Sequence, residues 1–195
     1  MNPDKKQRIM QAAEHLFRTR QFHEITLDEI AGRAGIGKGT IYLYFSDKDD
    51  LFFQTAVAGY DEMCELLREN AEEGVSFREG LLRTCETIST FFRQRRPLFR
   101  LILTEGEHAA QCGGSLRKRW LERRESMREA VAAIVARGIA SGDVHSMLSA
   151  DVLAEYFLGM LRTRAWELED QPKAQRSHAS VVTMFVHGVS GHPAP

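Results

Sequence analysis

Residues 26–45, TLDEIAGRAGIGKGTIYLYF, restrict the fold of this chain more than any other stretch. Thr26-Leu-Asp-Glu29 is a capping box, in which the Thr hydroxyl and the Glu carboxylate each satisfy a backbone N–H at a helix start, and Ile25 can staple onto Ile30. The helix should stop near Ala34, because Gly35 can adopt the left-handed conformation that ends helices. After Gly35-Ile36-Gly37 a second short helix is expected over about Lys38 to Tyr44. Two short helices joined by a Gly-containing turn are the physical content of a helix-turn-helix. Leu27, Ile30, Ala31, Ile36, Ile41 and Phe45 are spaced to fix the pair against a preceding helix. Lys38, Gly39, Thr40, Tyr42, Leu43 and Tyr44 are left as an exposed surface rich in donors.

Punctuation elsewhere is dense, and apolar residues recur at helical spacing with no two-residue alternation, so an all-α fold of about nine helices is expected. Asn2-Pro3 starts a helix running to about Arg18 that buries Ile9, Ala12, Ala13, Leu16 and Phe17. Ser46 with Asp49 starts a long helix reaching Gly74, with Phe53, Ala56, Val57, Tyr60, Met63, Cys64 and Leu67 on one side. Further helices are expected from the Ser76–Glu79 box to Arg95, over Leu98 to Glu107, from Ser115 to Ala140, from Ser149 towards Pro172, and from Lys173 to Val189. The reading divides the chain into a helix-turn-helix domain, 1–48, and a helical domain, 49–195.

Composition narrows the functional classes. Hydrophobic residues make up 43% and charged residues 27%. No run approaches the roughly 20 apolar residues of a spanning helix, and no secretory leader is visible, so a cytoplasmic protein with no membrane partner is expected. Cys64, Cys85 and Cys112 are far apart and suggest neither disulfides nor a cysteine zinc site. The formal net charge of −1 makes no global case for nucleic acid, whereas residues 1–48 hold eight cations against six carboxylates. No nucleophile elbow, H-E-x-x-H, phosphate loop or dinucleotide fingerprint is present, so no enzyme and no cofactor is expected. Glu107, His108 and Cys112 are the candidates for a metal-responsive alternative, but they form no complete ligand set, and no metal site is assigned. A helical protein-binding adaptor would leave the donor-rich face unexplained.

ITLDEIAGRAGIGKGTIYLYFSDKDDLF resembles the signature of the TetR (TetR/AcrR) family in its order of Thr, Ile-Ala, Ala-Gly, Lys-Gly-Thr, Tyr-x-Tyr-Phe and Lys. The resemblance implies a homodimeric transcriptional regulator binding double-stranded DNA, a repressor released from a palindromic operator by a small, largely apolar effector. It places Thr26, Tyr44 and Lys48 on phosphates and Lys38, Gly39, Thr40 and Tyr42 on the face that meets the groove. Physics agrees at several positions. Lys48 falls in the first turn of a helix, where free N–H groups already favour a phosphate. Gly39 admits close backbone approach, and Thr40 can donate to phosphate or offer its methyl to thymine. Thr26 is equally useful as a cap alone, and Tyr42 and Tyr44 could pack against neighbouring helices. Where many members carry Ser or Thr this chain has Gly37, still an acceptable cap but without a hydroxyl.

The last two predicted helices show broad apolar stripes. Tyr156, Phe157, Gly159 and Met160 on one, and Val182, Phe185 and Val189 on the other, are candidates for a dimer interface, the role the family gives these helices. Tyr60, Met63, Phe91, Phe92, Phe99, Trp120 and Met127 are candidates for an apolar effector pocket. Glu105, Glu107, His108, Arg93 and Arg96 could anchor a polar group there. A filled core accounts for the same residues equally well.

Overall fold

A capped, amphipathic start sets the direction of the chain. In the computed structural model, which describes residues 3–70, 74–96, 98, 99 and 115–190, every regular element among the described residues is helical. Helix α1 spans Pro3–Thr19 and buries Ile9, Ala12, Ala13 and Phe17, the i, i+3, i+4, i+8 face of its sequence. A 3-10 turn at Phe22–Glu24 leads to α2, Leu27–Ala34, and then to α3, Lys38–Ile41. The remaining helices are α4 at Lys48–Ala56, α5 at Tyr60–Glu69, α6 at Phe77–Gln94, α7 at Ser115–Ser141, α8 at Ala150–Trp166 and α9 at His178–Val189.

The described residues form two compact units. The first holds the chain up to Gly59 together with the described part of 95–120, and the second holds 60–94 and the residues from 121 on. In the first, α1 packs on α2 and α4. Ile9, Ala13, Ile30, Ile41 and Leu51 lose all solvent contact there. Phe52 stands edge-on to Phe17 and Phe22 at 5.0 and 5.1 Å, an arrangement that adds to simple burial. In the second unit α9 packs against α6 and α8. Leu67, Leu81, Cys85, Val131, Ile134, Val135, Ala154, Phe157 and Val182 form its fully buried centre. Each such side chain contributes about 1.5–3 kcal/mol where it is a large aliphatic or Phe.

Four boundaries differ from the sequence expectation. The long helix from Ser46 to Gly74 is two helices, α4 and α5, because the Thr55 hydroxyl donates back to the Leu51 carbonyl at 2.7 Å and Gly59 turns the chain at φ 76°. Its cap is Asp47, whose carboxylate accepts from the Asp50 N–H at 2.6 Å, not Ser46 with Asp49. Helix α3 closes at Ile41 and not Tyr44, the chain turning there with the Leu43 N–H on Thr40 O at 3.2 Å and the Tyr44 N–H on Ile41 O at 2.9 Å. Helix α9 starts at His178 and not Lys173, since Ser177 supplies the capping oxygen to Ser180 N–H at 3.0 Å. Beyond Phe99, the helix expected over 98–107 lies outside the described residues.

Candidate nucleic-acid interface

The reciprocal cap read from the sequence is formed. Thr26 Oγ1 accepts from the Glu29 N–H at 3.2 Å, and Glu29 Oε2 accepts from the Thr26 N–H at 2.8 Å. The Thr26 hydroxyl proton also points to that carboxylate, at 3.1 Å, so a phosphate contact by this hydroxyl requires it to turn away. Arg20 donates to Glu29 Oε1 at 2.7 Å and to Glu24 O at 3.0 Å. The Arg20 hydrogen bond, followed by that from the Thr26 backbone, holds the Glu29 carboxyl down at about 2.

Gly35 adopts φ 64°, ψ 42°, the left-handed end expected of α2. Arg8 fastens this end by donating to Ala34 O at 2.6 Å, a contact between residues 26 apart that no local pattern foretells. The turn delivers α3 with Ile41 and Phe45 buried. On the outer face Lys38 and Gly39 are exposed, with Tyr42 53% and Leu43 70% exposed, and Thr40 and Tyr44 are half-buried. A Cβ on Gly39 would meet nothing within 4 Å, so this backbone stands open to a close approach. Tyr42 and Leu43 follow α3 in the turn that leaves it and extend its exposed surface, and the open face of a helix that fits a major groove is suited to base edges.

Cations do not all stand free. Lys38 Nζ pairs with Asp28 Oδ2 at 2.7 Å, both side chains exposed, and the hydrogen bond it donates to Asp28 raises the lysine's pKa. An exposed pair of this kind is weak and can be exchanged for a phosphate. Lys48 is more deeply engaged. Its ammonium donates to Phe22 O at 3.0 Å and Ile25 O at 2.9 Å and lies 4.4 Å from the Phe22 ring centroid. Two of its three donors close the 3-10 turn onto α4, leaving one for a further acceptor such as a phosphate.

The other sequence-derived sets are placed as follows. Tyr60, Met63, Phe91 and Met127 are buried in the second unit, with Phe92 half-buried and the Tyr60 and Phe91 rings 5.7 Å apart. Phe99 and Trp120 belong to the first unit, where their rings pack at 4.8 Å. The set is thus divided between the two units. Arg93 is exposed at the end of α6. Glu105, Glu107, His108 and Cys112 lie outside the described residues.

The proposed interface residues also separate. Phe157, Val182, Phe185 and Val189 are buried within the chain's own core, Phe157 and Phe185 packing at 5.0 Å, so they correct the expectation of a partner-facing role. Tyr156 at 62% and Met184 at 65% are exposed, with Val152 on the same side of α8 as Tyr156. Gly159 and Met160 continue that face, and a Cβ on Gly159 or Gly188 would meet nothing within 4 Å.

Comparison with known proteins agrees with this geometry. The description "Bacterial regulatory proteins, tetR family" matches residues 9–55, and "Tetracyclin repressor-like, C-terminal domain" matches residues 72–183. The chain belongs to the TetR family of helix-turn-helix, DNA-binding transcriptional regulators. It is 25% identical to the HTH-type transcriptional regulator YhgD of Bacillus subtilis, over 95% of this chain and 96% of that protein. It is 24% identical to the fatty acid metabolism regulator protein of the same organism, over 86% of each. Its fold is similar to the B. subtilis transcriptional regulator FadR in complex with stearoyl-CoA, with a TM-score of 0.73 and 22% identity over 94% of this chain and 98% of that one.

Proposed function

We propose that this regulator is a cytoplasmic homodimeric repressor that sits on a palindromic operator and leaves it when a small, largely apolar effector binds. The observation that carries the reading is the open face of α3 and of the turn that follows it, where Lys38, Gly39, Tyr42 and Leu43 stand exposed beside half-buried Thr40 and Tyr44. In this reading residues 1–48 grip DNA, Thr26, Tyr44 and Lys48 meeting phosphates, while residues 49–195 dimerise and take up the effector. Phosphate contacts set register, and the few groups reaching base edges set specificity.

Dimerisation suits a helix-turn-helix, because a twofold pair of recognition helices matches two half-sites. The exposed Val152, Tyr156 and Met184, with half-buried Gly159 and Met160 continuing the α8 face, support it. The aromatic and sulfur side chains of Tyr60, Met63, Phe91 and Met127 suit an alkyl chain, and a fatty acyl thioester is the effector class to try first, since the similar FadR is described with stearoyl-CoA. By linkage such a ligand weakens DNA binding by the factor with which DNA weakens its own, typically ~1–3 kcal/mol.

Selection of bound sites from random duplex DNA tests the reading. Enrichment of a palindrome, followed by its release on titration with stearoyl-CoA, is expected. A pool that never departs from random refutes the DNA-binding repressor, and a palindrome whose affinity stearoyl-CoA leaves unchanged removes the acyl thioester from it.

A further inference from the structure

We infer that Arg119 is a positioning residue for the recognition helix α3, acting through Asp50; the inference rests on the DNA-binding reading of α3. Arg119 stands in the second turn of α7, far along the chain from the helix-turn-helix, yet its Nη2 donates to Asp50 Oδ1 at 2.8 Å. Its guanidinium also lies 4.2 Å from the Phe53 ring centroid, so α4 holds it by charge and by a ring face one turn apart. Asp50 is a junction. Its other oxygen, Oδ2, accepts from the Ser46 N–H at 3.2 Å and from Gln54 Nε2 at 3.0 Å, while its own N–H donates to Asp47.

Ser46 is the residue after Phe45, whose N–H bonds Ile41 O at 3.0 Å and whose side chain is buried. A continuous path thus runs from Arg119 through one carboxylate to the backbone that leaves α3. Its links are hydrogen bonds and the Phe45–Ser46 peptide bond, all within the first unit, and the hydrogen bonds at Asp50 are charge-assisted and partly shielded from water. Burial alone would raise the Asp50 carboxyl, but the hydrogen bonds from Arg119, Gln54 and Ser46 outweigh it and hold it below its ordinary value. Without Arg119, Asp50 keeps its charge with less to balance it, and its hold on Ser46 loosens. Helix α7 continues past Arg119 into the second unit, where Met127 belongs, so the residue that steadies α3 is carried by a helix with residues in both units.

The test uses the full chain with R119Q, R119K, D50N and the R119Q/D50N double variant. Backbone hydrogen exchange of the free protein is measured, together with affinity across salt for a duplex that the parent chain selects from a random pool. In R119Q, exchange over residues 42–50 should quicken about tenfold while amides of α1 keep their protection, the size expected when a charged hydrogen bond is lost. Duplex affinity should fall by about the same factor with an unchanged salt slope, since no phosphate contact is removed. R119K should restore part of both, D50N should reproduce both, and the double variant should be no worse than either single.

Unchanged exchange over 42–50 overturns the inference. So does a salt slope lowered by about one, the mark of a direct phosphate contact. Loss of protection throughout α1 would make Arg119 a general fastener of the fold, and additive losses in the double variant would break the path through Asp50. If exchange responds as expected while the parent selects no duplex, Arg119 still steadies the α3 exit and the DNA-binding reading is what fails.

Discussion

Glu29 serves three donors at once, and its titration is a direct readout of the α2 start. Its folded pKa of about 2 lies below the ordinary carboxylate value, so the stabilisation it gives is complete above that value and disappears as pH falls from there towards 2. Carboxyl NMR should show its midpoint near 2, moving up in Arg20→Ala; an ordinary midpoint would mean that the Arg20 and Thr26 contacts are not kept in solution. Burial pushes the Cys64 thiol up to about 11 and Cys85 up to about 12, so neither should react with iodoacetamide at pH 8 until the chain unfolds. Rapid labelling of either in the native protein, located by mass spectrometry, contradicts this. At this scale the sequence reveals contacts between near neighbours and hides distant ones. The Thr26–Glu29 box spans one helical turn and can be read directly, whereas the acceptors of Lys48 stand 26 and 23 residues away and belong to backbone, which carries no residue-type signal.

Helices α2 and α8 begin at the side-chain caps that the sequence places, whereas α4 and α9 use caps it did not. Ser149 accepts from the Val152 N–H and α8 starts at Ala150; Thr26 caps α2. Less legible is the break between α4 and α5, because apolar spacing continues through Val57 and Tyr60 while the Thr55 back-bond and the backbone angle at Gly59 mark it. Gly59→Ala should cost about 1–2 kcal/mol, the penalty of a left-handed residue with a Cβ, and lower Tm; an unchanged Tm would mean the angle relaxes without cost. Lys38 and Lys48 separate on the same grounds. Lys38→Ala should flatten the salt dependence of duplex binding by about one unit and leave Tm nearly unchanged, its ion-pair partner among the described residues being the exposed Asp28. Lys48→Ala should lower Tm as well, because Phe22 O and Ile25 O lose a charged donor. Equal Tm values for the two variants would contradict the structural role of Lys48.

For the molecule as a whole, the stripes of α8 and α9 were legible as apolar but not as two faces, since a helix in a bundle can bury one side inward and offer the adjoining side outward. Phe157 and Phe185 belong to the inner side and Tyr156 and Met184 to the outer. Tyr156→Asp should therefore convert the proposed dimer to a folded monomer in sedimentation, with circular dichroism unchanged. Phe185→Asp should lose the fold itself, since it places a charge in a filled core. A Tyr156→Asp protein that sediments like its parent would mean that this face is not the contact between copies. The composition of the first unit reaches further than this chain. Residues up to Gly59 share that unit with part of 95–120, Arg119 included. A chimera joining this DNA-reading segment to another regulator's body at one crossover near Gly59 would leave Asp50 without its arginine, and Phe53 without the guanidinium over its ring. A graft that keeps the reading head intact must transplant two separate stretches of chain.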